Sequence, residues 1–309
     1  ASWADFDTYS LEAAIGGSIS DTVRGRLAFR TEKSDGYLEA GIEPFGGTAA
    51  TGRDTHGADG YAIRGSLQAD LSDSTSFDLT VAYSEDDDVP TGMYVVTFVD
   101  FDPNTGLGVP LTGGTGPLDG GASLAGDVTR HASAEDPYFD RDVLNVSAKF
   151  AMDLDNGMEF RSITGFLDVD KYYREDACGG LCFFPFTTEA DLSQWSQEFR
   201  LSHEEDNYRW QLGAYYMDID SVTANTVEGI VITGSPLGLI RSDIDIQSTN
   251  WSLFGQVEYD LSNALTVIAG LRWSQDDKDL EFTQLSRNMD DQGIPSGTLL
   301  FDLDVEAVG

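Results

Sequence analysis

The stretch Trp251-Ser252-Leu253-Phe254-Gly255-Gln256-Val257-Glu258-Tyr259-Asp260-Leu261-Ser262-Asn263-Ala264-Leu265-Thr266-Val267-Ile268-Ala269-Gly270-Leu271-Arg272-Trp273 decides the fold. Trp251, Leu253, Gly255, Val257 and Tyr259 take every second position, with Ser252, Gln256 and Glu258 between them. Past the turn at Asp260-Leu261-Ser262-Asn263, Leu265, Val267, Ala269, Leu271 and Trp273 resume the alternation against Thr266, Gly270 and Arg272. Successive side chains of a strand point to opposite faces. The stretch is therefore an antiparallel hairpin with one apolar and one polar face.

Four more hairpins precede it. Their tight turns fall near Ser20-Asp21-Thr22, Leu71-Ser72-Asp73-Ser74, Asp155-Asn156-Gly157 and Glu204-Glu205-Asp206-Asn207. In the first, Tyr9, Leu11, Ala13 and Ile15 share a face, and Val23, Gly25, Leu27 and Phe29 alternate with Arg24, Arg26, Ala28 and Arg30. The second sets Tyr61, Ile63, Gly65, Leu67 and Ala69 against Arg64, Ser66, Gln68 and Asp70, and returns with Phe77, Leu79, Val81 and Tyr83. The third opens with Leu144, Val146, Ala148, Phe150 and Met152. Its return strand, from about Met158 to Tyr173, is irregular: Phe160 and Phe166 fall on one face, Ile163, Leu167 and Val169 on the other. A bulge or an apolar patch on the inner face accounts for that pattern. The fourth alternates Trp195, Phe199 and Leu201 with Ser196, Glu198 and Arg200, then Tyr208, Trp210, Leu212, Ala214 and Tyr216 with Arg209, Gln211 and Gly213. The stretch from Thr298 to Val308 begins a further strand.

Between hairpins lie much longer Gly-, Asp-, Ser- and Thr-rich segments. Short turns at one end and long loops at the other, on strands greasy on one side only, predict an all-β, antiparallel transmembrane barrel of about ten meander strands. The arginines then face a wet interior, because each would cost on the order of 2 to 4 kcal/mol against hydrocarbon at the midplane. Arg64, Arg161, Arg200, Arg209 and Arg272 are expected to line that lumen and to pair with carboxylates such as Glu198 and Glu258. Aromatic residues cluster towards the ends of the apolar stripes, as with Tyr208 and Tyr216 or Trp251 and Tyr259, where membrane barrels carry their girdles.

Composition agrees. No run of roughly 18 apolar residues occurs, which excludes a transmembrane helix but not a barrel. A formal net charge of −36 excludes nucleic acid as a partner. Cys178 and Cys182, the two cysteines, flank Gly179-Gly180-Leu181 and are read as a small loop disulfide of an oxidising compartment. There is no nucleophile elbow, paired-histidine zinc motif or phosphate loop. The chain is read as no enzyme, with no cofactor and no metal site. His56, His131 and His203 stand apart and are read as solvated loop residues. Asp100-Phe101-Asp102-Pro103-Asn104-Thr105-Gly106 has the oxygen spacing of an opening calcium loop, but its glycine falls one place late and it lacks a closing acid. A plain turn is the expectation. The loop from Glu85 to Pro137 is too long for a mere connection. Its Tyr94, Phe98 and Phe101, with Tyr138 and Phe139 at its end, are candidate ligand contacts from outside.

Several stretches carry a family resemblance. Phe6-Asp7-Thr8-Tyr9-Ser10-Leu11-Glu12-Ala13, Gly16-Gly17-Ser18-Ile19-Ser20-Asp21-Thr22-Val23-Arg24-Gly25-Arg26-Leu27-Ala28 and Ser34-Asp35-Gly36-Tyr37-Leu38 resemble the opening barrel strands of TonB-dependent outer-membrane receptors. Phe160-Arg161-Ser162-Ile163-Thr164-Gly165-Phe166, Gln197-Glu198-Phe199-Arg200-Leu201 and Leu253 to Leu261 running on to Ala269-Gly270-Leu271-Arg272-Trp273-Ser274 resemble the same family in the same order. The resemblance implies a barrel of about 22 strands closed by an N-terminal plug, in the outer membrane of a Gram-negative bacterium. It implies uptake of a scarce ligand, a ferric siderophore, a cobalamin or an oligosaccharide, energised by the TonB complex acting through the plug. Residues 1–309 then correspond to a partial barrel domain, about half a barrel, with plug and C-terminal strands absent. The other readings are a passive porin or adhesin-like barrel and a soluble secreted β-sandwich used as a binding module.

Overall fold

A computed structural model describes residues 1–37, 39–40, 54–87, 89, 99–101, 108–110, 130–131, 137–154, 157–176, 185–228, 238–289 and 295–308, with the backbone alone at 39–40, 99–101, 108–110, 130–131, 176, 286–289 and 295–308. The strands are β1 (Ser2–Ala4), β2 (Thr8–Ser18), β3 (Val23–Ser34), β4 (Glu39–Ala40), β5 (Ala58–Ser72) and β6 (Thr75–Asp86). Next come β7 (Val99–Phe101), β8 (Gly108–Pro110), β9 (Arg130–His131), β10 (Tyr138–Asp153) and β11 (Met158–Asp176). The chain continues with β12 (Pro185–Glu205), β13 (Tyr208–Glu228), β14 (Leu239–Ser262), β15 (Leu265–Met289) and β16 (Pro295–Val308). Twelve of them form one antiparallel sheet in the order β1-β2-β3-β5-β6-β10-β11-β12-β13-β14-β15-β16, a meander in which sequence neighbours pair. β4 pairs with β9, and β7 with β8, in two small sheets of the long connections.

Four of the tight turns stand where the sequence puts them, and the third hairpin reverses between Asp153 and Met158, around residues 155 and 156, which lie outside the described residues. The long connections do not all follow: β11 and β12 are joined through residues 177–184 and β13 and β14 through 229–238, because these strands run on well past their apolar stripes. Strands of 19 to 25 residues from β11 to β15 exceed the 9 to 11 or so that a tilted strand needs to cross a bilayer core.

The register fixes the faces. Ile15 opposes Leu27, Leu27 opposes Gly65, Gly65 opposes Val81, Val81 opposes Val146 and Val146 opposes Phe166. Across the far hairpins Leu201 meets Leu212, Leu212 meets Gly255 and Gly255 meets Leu271. This apolar side carries the exposed hydrophobics, with Ile15 76%, Leu212 56% and Leu271 81% accessible. Among the described residues the only buried hydrophobic ones are Ala69 and Ala224. A soluble sandwich would bury these side chains against a second sheet. Nothing described here covers them.

Aromatic rings bound the stripe in two rows. Tyr208 and Tyr259 are register partners at the short-turn end, Tyr216 and Trp251 at the other. Eight residues separate the rows on each strand, about 26 Å of extended chain, close to the roughly 25 Å apolar band of a membrane barrel. Trp195 lies 5.5 Å from Tyr216 and Trp273 lies 4.4 Å from Trp251 between ring centres, extending the upper row. The phenols of that rim point to water: Tyr61 and Tyr83 donate to Glu85 at 2.8 and 3.0 Å, and Tyr216 to Asp218 at 3.3 Å. Amphipathic rings at an interface are placed this way.

The irregular return strand contains no bulge, since β10, β11 and β12 pair residue for residue. Ile163, Leu167 and Val169 therefore sit on the inner face, opposite Glu198, Gln194 and Leu192. In exchange Ser162, Thr164 and Gln197 fall on the apolar side. They satisfy one another: Thr164 donates to Gln197 Oε1 at 2.6 Å, and Gln197 Nε2 donates to Ser162 Oγ at 2.9 Å and to the Glu198 carbonyl at 3.1 Å. Polar groups facing lipid need such internal partners, because hydrocarbon supplies none.

Above the upper aromatic row the two faces exchange character. On the side that was apolar, Glu85, Asp142, Asp170 and Asp191 lie in one row, continued through Val222 to Asp245 and Glu281. On the inner side Val143, Val169 and Leu192 lie in a row that continues through Ser221 to Ile246 and Leu280. The wall thus meets hydrocarbon over one part of its height and water over the next.

Candidate functional site

The polar side of the wall is the candidate site. The inner faces of β2, β3, β5, β6 and β10 enclose a concavity of about 1000 Å3. Its lining includes Gly16, Arg24, Arg26, Arg64, Ser66, Gln68, Asp78, Thr80, Asn145, Ser147 and Lys149.

All five predicted arginines stand on this side, and three fall in one row. Arg161 opposes Arg200, Arg200 opposes Gly213, Gly213 opposes Phe254 and Phe254 opposes Arg272. Two guanidinium groups directly across a strand pair repel, and each is held by a carboxylate two residues along its own strand: Arg161 donates to Glu159 and Arg200 to Glu198. Arg272 solves its placement differently. Its guanidinium lies 5.6 Å from the centre of the Phe254 ring, within cation–π range, and donates to Ser252 Oγ at 2.8 Å. Ser252 is only 1% exposed beneath it. Phe254 in turn lies over Gly213, where a Cβ would come 2.1 Å from Cζ of the ring.

Arg209 sits near the short-turn end and bridges Glu258 at 3.2 Å and Asp260 at 3.3 Å, while Thr266 donates to Asp260 at 2.5 Å. The expected pairings with Glu198 and Glu258 are both present. Arg64 has no ion pair among the described residues.

The balance in the arginine row is testable. Glu198→Gln leaves Arg200 facing Arg161 without its counter-charge, an expected loss of about 0.5 to 1 kcal/mol for partly exposed groups. Adding Arg161→Gln should recover part of that loss, because the repulsion goes with it. Urea titration of the complete receptor folded in lipid vesicles measures both.

Of the candidate ligand contacts, Tyr94 and Phe98 lie outside the described residues, and Phe101 ends β7 with its backbone alone described. Tyr138 and Phe139 open β10. Tyr138 donates to Asp140 and packs edge-on against Tyr172 at 5.5 Å; Phe139 packs on Tyr173 at 6.3 Å with the Arg141 guanidinium 5.4 Å from its ring centre. Register puts Phe139, not Tyr138, on the inner face, since Phe139 opposes Tyr173 and Tyr138 opposes Arg174.

Cys178 and Cys182 also lie outside the described residues. His131 is in β9 with its side chain undescribed. His56 is half-buried, 5.3 Å from Tyr37 between ring centres, and burial pushes its imidazole below the ordinary value. His203 is not a solvated loop residue. It belongs to β12, where Tyr208 and Trp210 flank the ring and only 11% of the side chain is accessible; Nδ1 stands 3.0 Å from the Gly157 carbonyl and Nε2 3.3 Å from Glu205. A turn closing against its neighbour strand supplies this cover, which the spacing of histidines in sequence does not show.

Two features escaped the sequence reading. One is the apolar inner row from Val143 to Leu280, which alternation alone assigns to the wrong medium. The other is the place of Lys149 in the same concavity as Arg26 and Arg64, which depends on the pairing of β10 with β6 across the long connection between them.

A single meander, greasy outside between two aromatic rows and charged inside, is the wall of a transmembrane β-barrel. The family described as TonB dependent receptor-like, beta-barrel matches residues 78–304, and the chain belongs to that family. It is a family of Gram-negative outer-membrane transport receptors, not of enzymes. Among solved structures, the chain is similar to the ferric yersiniabactin uptake receptor FyuA from Yersinia pestis, at 14% identity and TM-score 0.65, covering 98% of this chain and 41% of that one. It is also similar to the ferric-catecholate import receptor Fiu from E. coli K12 in its closed form, at 13% identity and TM-score 0.58, covering 97% and 46%. The alcaligin outer membrane receptor FauA from Bordetella pertussis matches at 14% identity and TM-score 0.52, covering 94% and 40%. At these identities the likeness is one of fold. The chain spans less than half the length of each.

Proposed function

We propose that this chain is part of the wall of an outer-membrane receptor that imports a scarce ligand, with energy delivered through the TonB complex. The short-turn end then faces the periplasm and the long-loop end the exterior. The observation that carries this reading is the exchange of faces at the upper aromatic row. It gives the exterior half of the lumen an apolar, sheltered surface from Val143 to Leu280, above a charged periplasmic half. A porin that passes small solutes has no use for an apolar vestibule wall; a receptor that must capture a dilute ligand does.

A ferric siderophore is the first ligand to test, because the similar solved structures include a ferric yersiniabactin uptake receptor and a ferric-catecholate import receptor; a cobalamin or an oligosaccharide follows. Tyr94, Phe98, Phe101, Tyr138 and Phe139 are proposed contacts at the exterior end, with Phe139 reaching from the inner face. Cys178 and Cys182 are proposed to close a loop there by a disulfide. Arg64, Arg161, Arg200, Arg209 and Arg272 line the lumen in this reading, and residues 1–309 form one continuous barrel segment.

The test is uptake of radioiron chelates by cells whose other ferric receptors are deleted and which express the complete receptor. Uptake of at least one chelate is expected, and it should vanish when tonB is removed. Entry that persists without TonB would mark a passive pore instead.

A further inference from the structure

We infer that the long-loop end of the opening strands carries a binding site for a small organic cation, formed by the rings of Phe6, Tyr37 and His56 with the aspartates beside them. The site goes beyond the transport reading and does not depend on it.

Three separate segments interlock there: the turn between β1 and β2, the residues that follow β3 and those that precede β5. The Phe6 carbonyl accepts from the Asp35 amide at 3.2 Å and from Ser34 Oγ at 3.4 Å. A Cβ at Gly36 would stand 2.4 Å from the Thr55 carbonyl oxygen, and one at Gly57 would stand 2.3 Å from that of Ser34, so the backbones lie directly against one another. Thr55 is buried between them. Among the described residues the non-glycine positions with positive φ are Phe6 at 62°, Asp7 at 48° and His56 at 64°, all of them at this place. Such conformations are costly and persist only where the surroundings hold them.

What this base holds is a set of rings turned outwards. The ring centres of Phe6 and Tyr37 are 6.3 Å apart and those of Tyr37 and His56 5.3 Å, with the planes inclined by 61° and 55°. Phe6 is 58% and Tyr37 46% accessible, too open for a packed core. A cation seated between neighbouring rings at these spacings lies within about 6 Å of two ring centres at once, which is cation–π range. The charge around the rings has the matching sign. Asp5 and Asp7 flank Phe6, Asp35 stands two residues before Tyr37, and all three are exposed. The basic side chain among the described residues of these segments, Lys33, is held by Asp59 at 2.6 Å. Burial keeps the His56 imidazole below its ordinary value, so near neutral pH it is uncharged and does not repel a cation. A bare metal ion would want a shell of oxygen donors, which ring faces do not supply. An ammonium group gains from both the rings and the carboxylates, and it is the occupant.

The experiment uses the complete receptor in an uncharged maltoside detergent, titrated with choline and, separately, with 3,3-dimethylbutan-1-ol, its neutral isostere. Saturation transfer from protein to the methyl protons reads the binding. Choline should bind saturably, more weakly as salt is raised, and at least about tenfold more tightly than the isostere, a difference of about 1.4 kcal/mol. Tyr37→Leu keeps apolar bulk but removes a ring face and should weaken choline by a similar factor; Tyr37→Phe keeps the face and should retain binding. Tyr259→Leu, at the other end of the wall, leaves affinity unchanged. Should Tyr37→Leu lose the heat-modifiable gel migration of a folded barrel, Phe6→Leu carries the same expectation on an exposed side chain. Equal affinity for choline and the isostere, no saturable binding, or undiminished binding by the folded leucine variants overturns the proposal. Saturable binding of a lysine-rich peptide by a receptor that ignores choline overturns it in favour of a protein partner. Because the measurement needs no TonB, its outcome is separate from that of the uptake experiment.

Discussion

Leu271→Arg is expected to destabilise the folded, lipid-inserted receptor by about 2 to 4 kcal/mol. Leu271 lies midway between the level of Tyr259, which Val267 opposes, and the level of Trp251, which Gln275 opposes. It is 81% exposed on the apolar side. An arginine there would present its guanidinium at the centre of the hydrocarbon. The comparison that makes the result specific is Gln275→Arg on the same strand and the same side. At the rim a long cationic side chain reaches the headgroups, and the cost falls to about 0 to 1 kcal/mol. Urea-driven unfolding from lipid vesicles measures both. Equal effects at 271 and 275, or a silent change at 271, would mean that this side of the sheet does not touch acyl chains.

Gly213→Val is the second large effect, and two forces oppose each other in it. Glycine weakens a strand interior and valine favours one, so propensity alone forecasts a gain of up to about 1 kcal/mol. Packing forecasts the reverse. A Cβ at 213 would lie 2.1, 2.5 and 2.7 Å from three atoms of the Phe254 ring, far inside ordinary contact. The ring has to swing off the strand, and with it goes the cation–π contact to Arg272. Overpacking of this kind costs typically 1 to 3 kcal/mol, so the steric effect wins and the variant should be less stable by about that much. In a Phe254→Ala background the same valine should be neutral or stabilising, and the double-mutant cycle reports the coupling. If valine destabilises equally in both backgrounds, the ring is not what fills the space above Gly213.

Much of the wall was legible because its chemistry is periodic. Leu253, Val257, Val267 and Leu271 declare a lipid-facing side by position alone, and the turn at Asp260 to Asn263 closes the hairpin between them. The same test stalls where the surroundings change along a strand. Ile244 and Ile246 are in phase with Ser252 and Phe254, on the inner side, whereas Asp243 and Asp245 share a side with Leu253. Read by alternation, that inversion looks like the end of a strand near Trp251, yet β14 begins at Leu239. The pattern records the medium and not the backbone. In β11 the ambiguity has another source: Ser162 and Thr164 face lipid only because Gln197 of the next strand satisfies them, and a partner 33 residues from Thr164 is invisible to a local window. The candidate site divides in the same way. The five arginines were readable as sharing the polar side of the sheet, while the single row that Arg161, Arg200 and Arg272 form depends on which strands are neighbours. Tyr94, Phe98 and the two cysteines lie in connections, where no period exists to be read.

The residue-for-residue pairing from β10 to β14 gives this wall something like a reading frame. Loss of one codon inside any of these strands would turn its greasy column to water and its guanidinium groups to the lipid tails over the remaining length, since side chains change sides with every residue. Point changes can accumulate there one at a time, but length cannot drift except in whole pairs. Insertions and deletions among descendants of this gene should therefore collect beyond the acidic rim and at the tight turns.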